Sequence, residues 1–187
     1  MEFALRDFRP EDFEILWSID QQCFAPGIAY SRRELSIYIH RRGSFTVVAE
    51  GHSQQGSTEV IANHDSRIVG FIVAEANRRS IGHIISIDVL PSARRFGVGS
   101  KLLAVAEDRL RSDGCRAVVL ETAVENISAL SFYKRHLYHV VKAVPRYYSN
   151  GTDALVLEKE LAVQTKDGLA HVVRKIVVGN PGAQLPK

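Results

Sequence analysis

The chain has 187 residues, 45% of them apolar and 24% charged, with a net charge of +3. That is enough for one domain with a real core, or one domain plus a tail, and no apolar run reaches the roughly 18–20 residues of a membrane span. So small a charge gives no argument for nucleic acid, while it mildly favours anionic ligands such as a phosphorylated cofactor.

Met1-Glu2-Phe3-Ala4-Leu5-Arg6-Asp7 has early acids and no apolar core, so the expectation is a protein without a secretory signal that stays in the cytoplasm. Cys23 and Cys115 are then expected to be free thiols. Phe3 to Arg6 reads as a short strand. Arg9-Pro10-Glu11-Asp12 opens a helix to about Gln22, with proline near its first position and acids in its first turn. Pro26 and Gly27 make Cys23 to Tyr30 a loop, after which Ser31 and Glu34 have capping-box spacing for a second helix through about His40. Phe45 to Ala49 and Ile68 to Ala74 are strand-like, joined by a polar Gly/Ser/Gln stretch around Gly51 to Asp65 that reads as the long, mobile connection of a hairpin.

Ile84 to Leu90 is the most strand-like run, and it stops at Pro91, which has no N–H to give a ladder. From Ser100 a helix follows, with Leu103, Ala106 and Leu110 on one face and Gly114 as its stop. Ala117 to Leu120 is then a buried strand. Ile84 to Leu120 therefore forms a βαβ unit with a right-handed crossover, and part of the sheet is parallel. A last helix, about Ile127 to Arg135, leads to strands near Val140 to Val144 and Ala154 to Leu161. The expected fold class is α/β with a mixed sheet, in one domain over residues 1–162. Residues 163–187 carry Pro181, Gly182 and Pro186 and read as an appendage with room for one more strand at Val172 to Val178.

The strongest chemical signal is Val89-Leu90-Pro91 followed by Arg94-Arg95-Phe96-Gly97-Val98-Gly99 at a strand-to-helix junction. Gly97 and Gly99 lack Cβ atoms, so backbone N–H groups can approach an anion, and the helix start adds its positive dipole end. Several readings compete. A Walker A loop fails, because the order here is Gly99-Ser100-Lys101. A dinucleotide fingerprint needs a small residue where Leu102 stands, although Glu121 lies near the distance expected of a ribose acid. A plain glycine turn is the default for a lone pair of glycines.

With its surroundings, the loop resembles that of the GNAT superfamily of N-acetyltransferases, Gln/Arg-x-x-Gly-x-Gly/Ala. Arg94, Gly97 and Gly99 match it, with Val89 on the preceding strand and Ser100 opening the helix. The likeness runs roughly from Phe3 to Leu161. Within the superfamily it is most similar to the bacterial ribosomal-protein (N-terminal alanine) N-acetyltransferases, through Leu120-Glu121, Asn126-x-x-Ala129-x-x-Phe132-Tyr133 and Tyr147-Tyr148. It implies the acyl-CoA N-acyltransferase fold, a central, mixed, strongly twisted sheet with helices on both faces. Acetyl-CoA would be the cofactor, held by Val89, Arg94, Arg95, Gly97, Val98, Gly99, Ser100, Asn126 and Tyr133.

Acetyl transfer from a thioester needs a neutral amine, a place for the carbonyl's developing charge and a proton for the thiolate. The resemblance implies Glu121 as general base and Tyr133 as general acid, a phenol near pKa ~10 being able to donate to a thiolate near ~8.5. It also implies that Phe24, Ile28, Tyr30, Tyr147 and Tyr148 line a peptide groove. From the residues alone, Glu121 also reads as a surface carboxylate ending a strand, Tyr133 and the other aromatics as packing, and Asn126 as an N-cap.

The chain departs from the pattern at Leu137-Tyr138, where Gly-Phe is usual, at Val144-Pro145, where an arginine is usual, and at Phe96, where a basic residue is common. The leading expectation is acetylation of a protein or peptide N-terminus, since an α-amino group titrates near 7.7–8.0 and a lysine near 10.4. A small-amine acetyltransferase, a catalytically silent acetyl-CoA-binding module and a dehydrogenase stay beside it. No nucleic-acid, membrane or metal partner is expected, and the chain would be a monomer or homodimer. His52, His64, His83, His136, His139 and His171 show no metal-ligand spacing and are expected to be structural or surface residues.

Overall fold

The computed structural model describes residues 1–52, 66–77 and 79–161. The connection expected to be mobile (53–65) and the appendage at 163–187, with its strand at Val172 to Val178, lie outside the described residues. Seven strands, β1 (Glu2–Asp7), β2 (Ser44–His52), β3 (Ser66–Ala76), β4 (Ile81–Val89), β5 (Ala117–Ala123), β6 (His139–Val144) and β7 (Ala154–Glu160), form one sheet in the order β1-β2-β3-β4-β5-β7-β6. Every neighbouring pair is antiparallel except β4 and β5.

Among the described residues, four α-helices flank it: α1 (Phe13–Cys23), α2 (Arg32–His40), α3 (Val98–Ser112) and α4 (Ile127–Arg135). No helix among the described residues is long and apolar enough to cross a membrane. Pro10–Asp12 form a 3-10 turn ahead of α1 rather than part of it. The α2 start follows the capping-box spacing: the Glu34 N–H donates to Ser31 Oγ, and the Ser31 N–H donates to Glu34 Oε2. At the other end of α3, Gly114 adopts φ +82, which lets the chain leave the helix without a Cβ clash.

The core lies where α1 and α3 cover the middle strands. Leu16, Leu35, Phe71, Ile72, Leu102, Leu103 and Leu110 are essentially inaccessible. Each such side chain contributes about 1.5–3 kcal/mol through removal from water. Two glycines let elements approach more closely than any side chain allows. A Cβ at Gly82 would meet the Leu110 side chain at 2.6 Å, and one at Gly70 would sit 2.5 Å from the Asp88 carbonyl oxygen and 3.2 Å from Val89 Cα. The second obstacle is backbone, which cannot rotate away. Gly70→Ala is therefore expected to destabilise the fold by about 1–3 kcal/mol, read as an earlier urea midpoint. A midpoint equal to that of the parent chain would contradict this close approach of β3 to β4.

The β4–β5 pair is what positions the site. Pairing covers only Ile81–Ile84 against Ala117–Leu120. Beyond Ile84 the two strands part, and an irregularity falls at the same place on the other edge: Val73 pairs with Ser86 and Ala74 with Ile84, so Ile85 is an extra residue. A strand edge released this way must find other hydrogen-bond partners. The Ile85 carbonyl accepts from Tyr30 Oη at 3.2 Å, and the Val89 carbonyl accepts from Arg94 Nε at 3.0 Å and from Cys23 Sγ at 3.5 Å.

Candidate active site

A cavity of about 1080 Å³ opens in the fork between β4 and β5. Every residue expected at the site lines it, from Phe24, Ile28 and Tyr30 on one wall, through Glu121 at the fork, to Arg94 and Gly97 at the start of α3. Residues more than 120 positions apart thus reach one groove, because β4 leads into the Arg94–Gly99 turn and β5 carries Glu121.

At the α3 end, Gly97 is the N-cap in the left-handed region (φ +84), and Arg95 is left-handed as well (φ 70). The first helical bond comes from the Lys101 N–H to the Gly97 carbonyl, at 3.0 Å. The amides of Val98, Gly99 and Ser100 lie ahead of it and have no carbonyl within the helix to donate to. A Cβ at Gly97 would meet nothing within 4 Å, so the space over this loop is open. Open space, helix amides and the Arg94 and Arg95 guanidiniums fit a pyrophosphate. Ser100 Oγ lies 3.0 Å from His136 Nε2, so its hydroxyl already has a partner. Asn126 acts as the N-cap of α4, its Oδ1 accepting from the Ala129 N–H at 3.1 Å, and it lines the groove as well.

Around the fork stand Glu121, Tyr133 and a ring of phenols. Tyr133 is 6% exposed and packs edge-on against Phe132 and Tyr138. Burial, with the charge of Asp88 adding, holds its phenol well above the ordinary value, so it stays protonated and is a weaker acid than the free side chain considered above. Tyr147 and Tyr148 stack edge-on at 5.0 Å. Burial and then the nearby Glu121 charge push Tyr148 up to about 12. Their loop touches the loop before α2, where Ser149 Oγ donates to the Gly27 carbonyl at 3.0 Å, so the two aromatic walls are joined.

One member of the site was not visible in the sequence. His83, expected to be a structural or surface residue, sits behind Glu121, with Nε2 2.7 Å from Glu121 Oε2; the two side chains are 29% and 11% exposed. Burial alone would make the imidazole easier to deprotonate. Contacts with Glu121 and Glu75 outweigh that and raise it to about 9. No spacing rule could reveal this pair, because parallel register has no connecting turn to fix it. His83 lies opposite Val119, and Glu121 follows two residues further, one place beyond the last paired residue.

Beneath the groove are two buried acids. Asp20 Oδ2 accepts from the Tyr30 N–H at 2.9 Å and so holds the aromatic wall, and Asp88 Oδ2 accepts from Ser86 Oγ at 3.0 Å. Burial pushes Asp20 up to about 6 and Asp88 well above the carboxylate range, with Asp20 adding to the latter. These carboxyls bind protons more tightly folded than unfolded, so their effect is a loss of stability as pH rises, beginning at about pH 4. Asp88→Asn, which stays neutral, is expected to raise the thermal midpoint at about pH 8 and to flatten its decline between about pH 4 and 8. An unchanged slope would contradict the protonation assigned to Asp88.

The acetyltransferase (GNAT) family model matches residues 13–137. An uncharacterised N-acetyltransferase of Methanocaldococcus jannaschii, MJ1530, is 37% identical over 101 residues, 54% of this chain and 64% of that protein. The chain thus spans less than two-thirds of that relative's length. An N-alpha-acetyltransferase of Sulfolobus acidocaldarius is 30% identical over 120 residues, 58% of this chain and 71% of that protein. Among solved structures, the ribosomal-protein-S18-alanine N-acetyltransferase of Escherichia coli superposes with a TM-score of 0.70 at 17% identity, covering 91% of this chain and 100% of that one. That likeness is one of fold.

Proposed function

The chain belongs to the GNAT acetyltransferase family, and from that premise we propose that residues 1–162 form a catalytic domain that transfers acetyl from acetyl-CoA to the α-amino group of a protein or peptide. The observation that carries the reading is the fork itself: a carboxylate, Glu121, and a buried phenol, Tyr133, line the same groove as the anion-binding start of α3. A relative named an N-alpha-acetyltransferase supports the class of acceptor, and a second named an uncharacterised N-acetyltransferase supports transfer of acetyl to nitrogen.

In this reading the amides of Val98 to Ser100 and the Arg94 and Arg95 side chains hold the pyrophosphate, and acetyl-CoA supplies an activated acyl carbonyl when bound. Val89 lines the groove at the parted edge, its carbonyl engaged by Arg94, and its N–H is assigned as the main-chain donor to the acyl oxygen. Glu121 accepts the proton of the incoming ammonium, with His83 in contact behind it. Tyr133 holds a proton at Oη for the end of the reaction. Phe24, Ile28, Tyr30, Tyr147 and Tyr148 exclude water and orient the first residues of the acceptor. An α-ammonium near pKa ~8 loses its proton more readily than a lysine near ~10.4, which favours N-termini as acceptors.

The test is release of CoA thiol from acetyl-CoA with peptides bearing free or blocked N-termini, beside a panel of small amines. Release that needs the free peptide N-terminus is the expected result. Release with small amines alone would assign the fold to a small-molecule acceptor, and binding of acetyl-CoA without turnover would make it a silent module.

A further inference from the structure

The contact behind Glu121 does not end at His83. Glu75 on β3 is the direct cross-strand partner of His83 on β4. Its Oε1 lies 3.9 Å from His83 Nδ1, too long for a hydrogen bond and close enough for a charge contact. Arg41, in the turn after α2, donates Nη1 to both Glu75 oxygens at 3.3 Å, while its guanidinium lies over the Tyr38 ring at 4.6 Å. The imidazole is therefore bracketed by two carboxylates on its two nitrogens, and the outer one is itself clamped. The charged and titratable groups facing His83 are Glu75 from β3 and Glu121 from β5, with Arg41 and Tyr38 behind Glu75. Glu75 is not among the residues that line the groove.

Resting on the acetyltransferase reading above, we propose that Glu75 is a positioning residue that fixes the proton affinity of the His83–Glu121 pair and thereby the pH range of catalysis. The step it serves is one proton transfer. In the form with a neutral imidazole, which becomes populated as the pH approaches the His83 midpoint, the acceptor ammonium breaks an N–H bond, its electron pair stays on nitrogen, and the proton passes by way of Glu121 to His83 Nε2, which ends as imidazolium hydrogen-bonded to carboxylate. A lone glutamate, near pKa ~4.3, is a base about four units too weak to take that proton from an α-ammonium on even terms. The bracketed imidazole is raised to about 9, which closes the gap. Arg41 keeps the Glu75 carboxylate in place, and the His83 contact together with Arg41 holds that carboxylate below its ordinary range against its burial.

The experiment is an NMR titration of the His83 imidazole in the full chain, without acetyl-CoA, for the parent, Glu75→Gln and Glu75→Asp, with His83→Gln to assign the resonance. The parent midpoint is expected well above the free-histidine value of about 6.5, to fall by about one pH unit or more in Glu75→Gln, and to recover in part in Glu75→Asp. The rising limb of kcat/KM against pH should move down with it, with a lower plateau, while KM for acetyl-CoA stays the same. A parent midpoint at the ordinary histidine value, or one that Glu75→Gln leaves in place, would overturn the proposal. The titration needs no turnover: shifted midpoints without acetylation of any amine would sink the acetyltransferase reading alone, and acetylation with unmoved midpoints would sink the role of Glu75 alone.

Discussion

Glu121→Gln is expected to lower kcat/KM by about 10²- to 10⁴-fold, the span that a positioned general base contributes. The glutamine keeps the shape and an oxygen for His83 Nε2, so the fork between β4 and β5 has no steric reason to change. What it removes is the negative charge that, in the proposed mechanism, takes the ammonium proton and that raises the proton affinity of His83. Acetyl-CoA affinity should stay near that of the parent, because the amides proposed to hold the pyrophosphate belong to the start of α3 and not to β5. Steady-state rates on the best peptide acceptor, with a binding titration of acetyl-CoA, check both halves. Full activity in the variant would reduce Glu121 to a carboxylate at the end of a strand, the plainer reading of its sequence position.

Tyr133→Phe is expected to cost about 10²-fold in kcat. Phenylalanine retains the packing against Phe132 and Tyr138, so the loss isolates one hydroxyl. Burial keeps that hydroxyl protonated through the working range, so the parent enzyme should show no alkaline limb from this group below about pH 10. A variant with unchanged kcat would assign Tyr133 to packing only. A fall in acetyl-CoA affinity with kcat intact would assign it to binding.

These two residues illustrate what the sequence made legible and what it did not. The βαβ unit, the glycine turn at Gly97 and the α4 helix over Ile127 to Arg135 were readable, because each depends on local chemistry: a proline stop, a positive φ, an N-cap. Asn126 was readable as an N-cap, which it forms, and it also lines the groove; its contact with the cofactor belongs to the proposed function. Strand lengths were underestimated. β4 begins at Ile81, three residues earlier than its apolar run suggests, because Gly82 packs under Leu110 and needs no side chain of its own to be buried.

The electrostatics were the part that sequence did not disclose. His83 has no spacing relation to Glu121, and Glu75 has none to either; the three meet because one antiparallel and one parallel register happen to align on adjacent strands. Likewise the rise in the Tyr133 phenol follows from burial near Asp88, a residue that reads in sequence only as a polar interruption of a β-run. Long-range placement of charge depends on register, and register depends on the whole sheet.

The most direct measurement is mass spectrometry of reactions between the full chain, acetyl-CoA and a library of peptides with free N-termini that also contain lysine, locating the acetyl group by fragmentation. The account predicts acetyl on the α-nitrogen, formed far more slowly with Glu121→Gln. Acetyl on lysine side chains alone, or no acetylated peptide across the library, would contradict it.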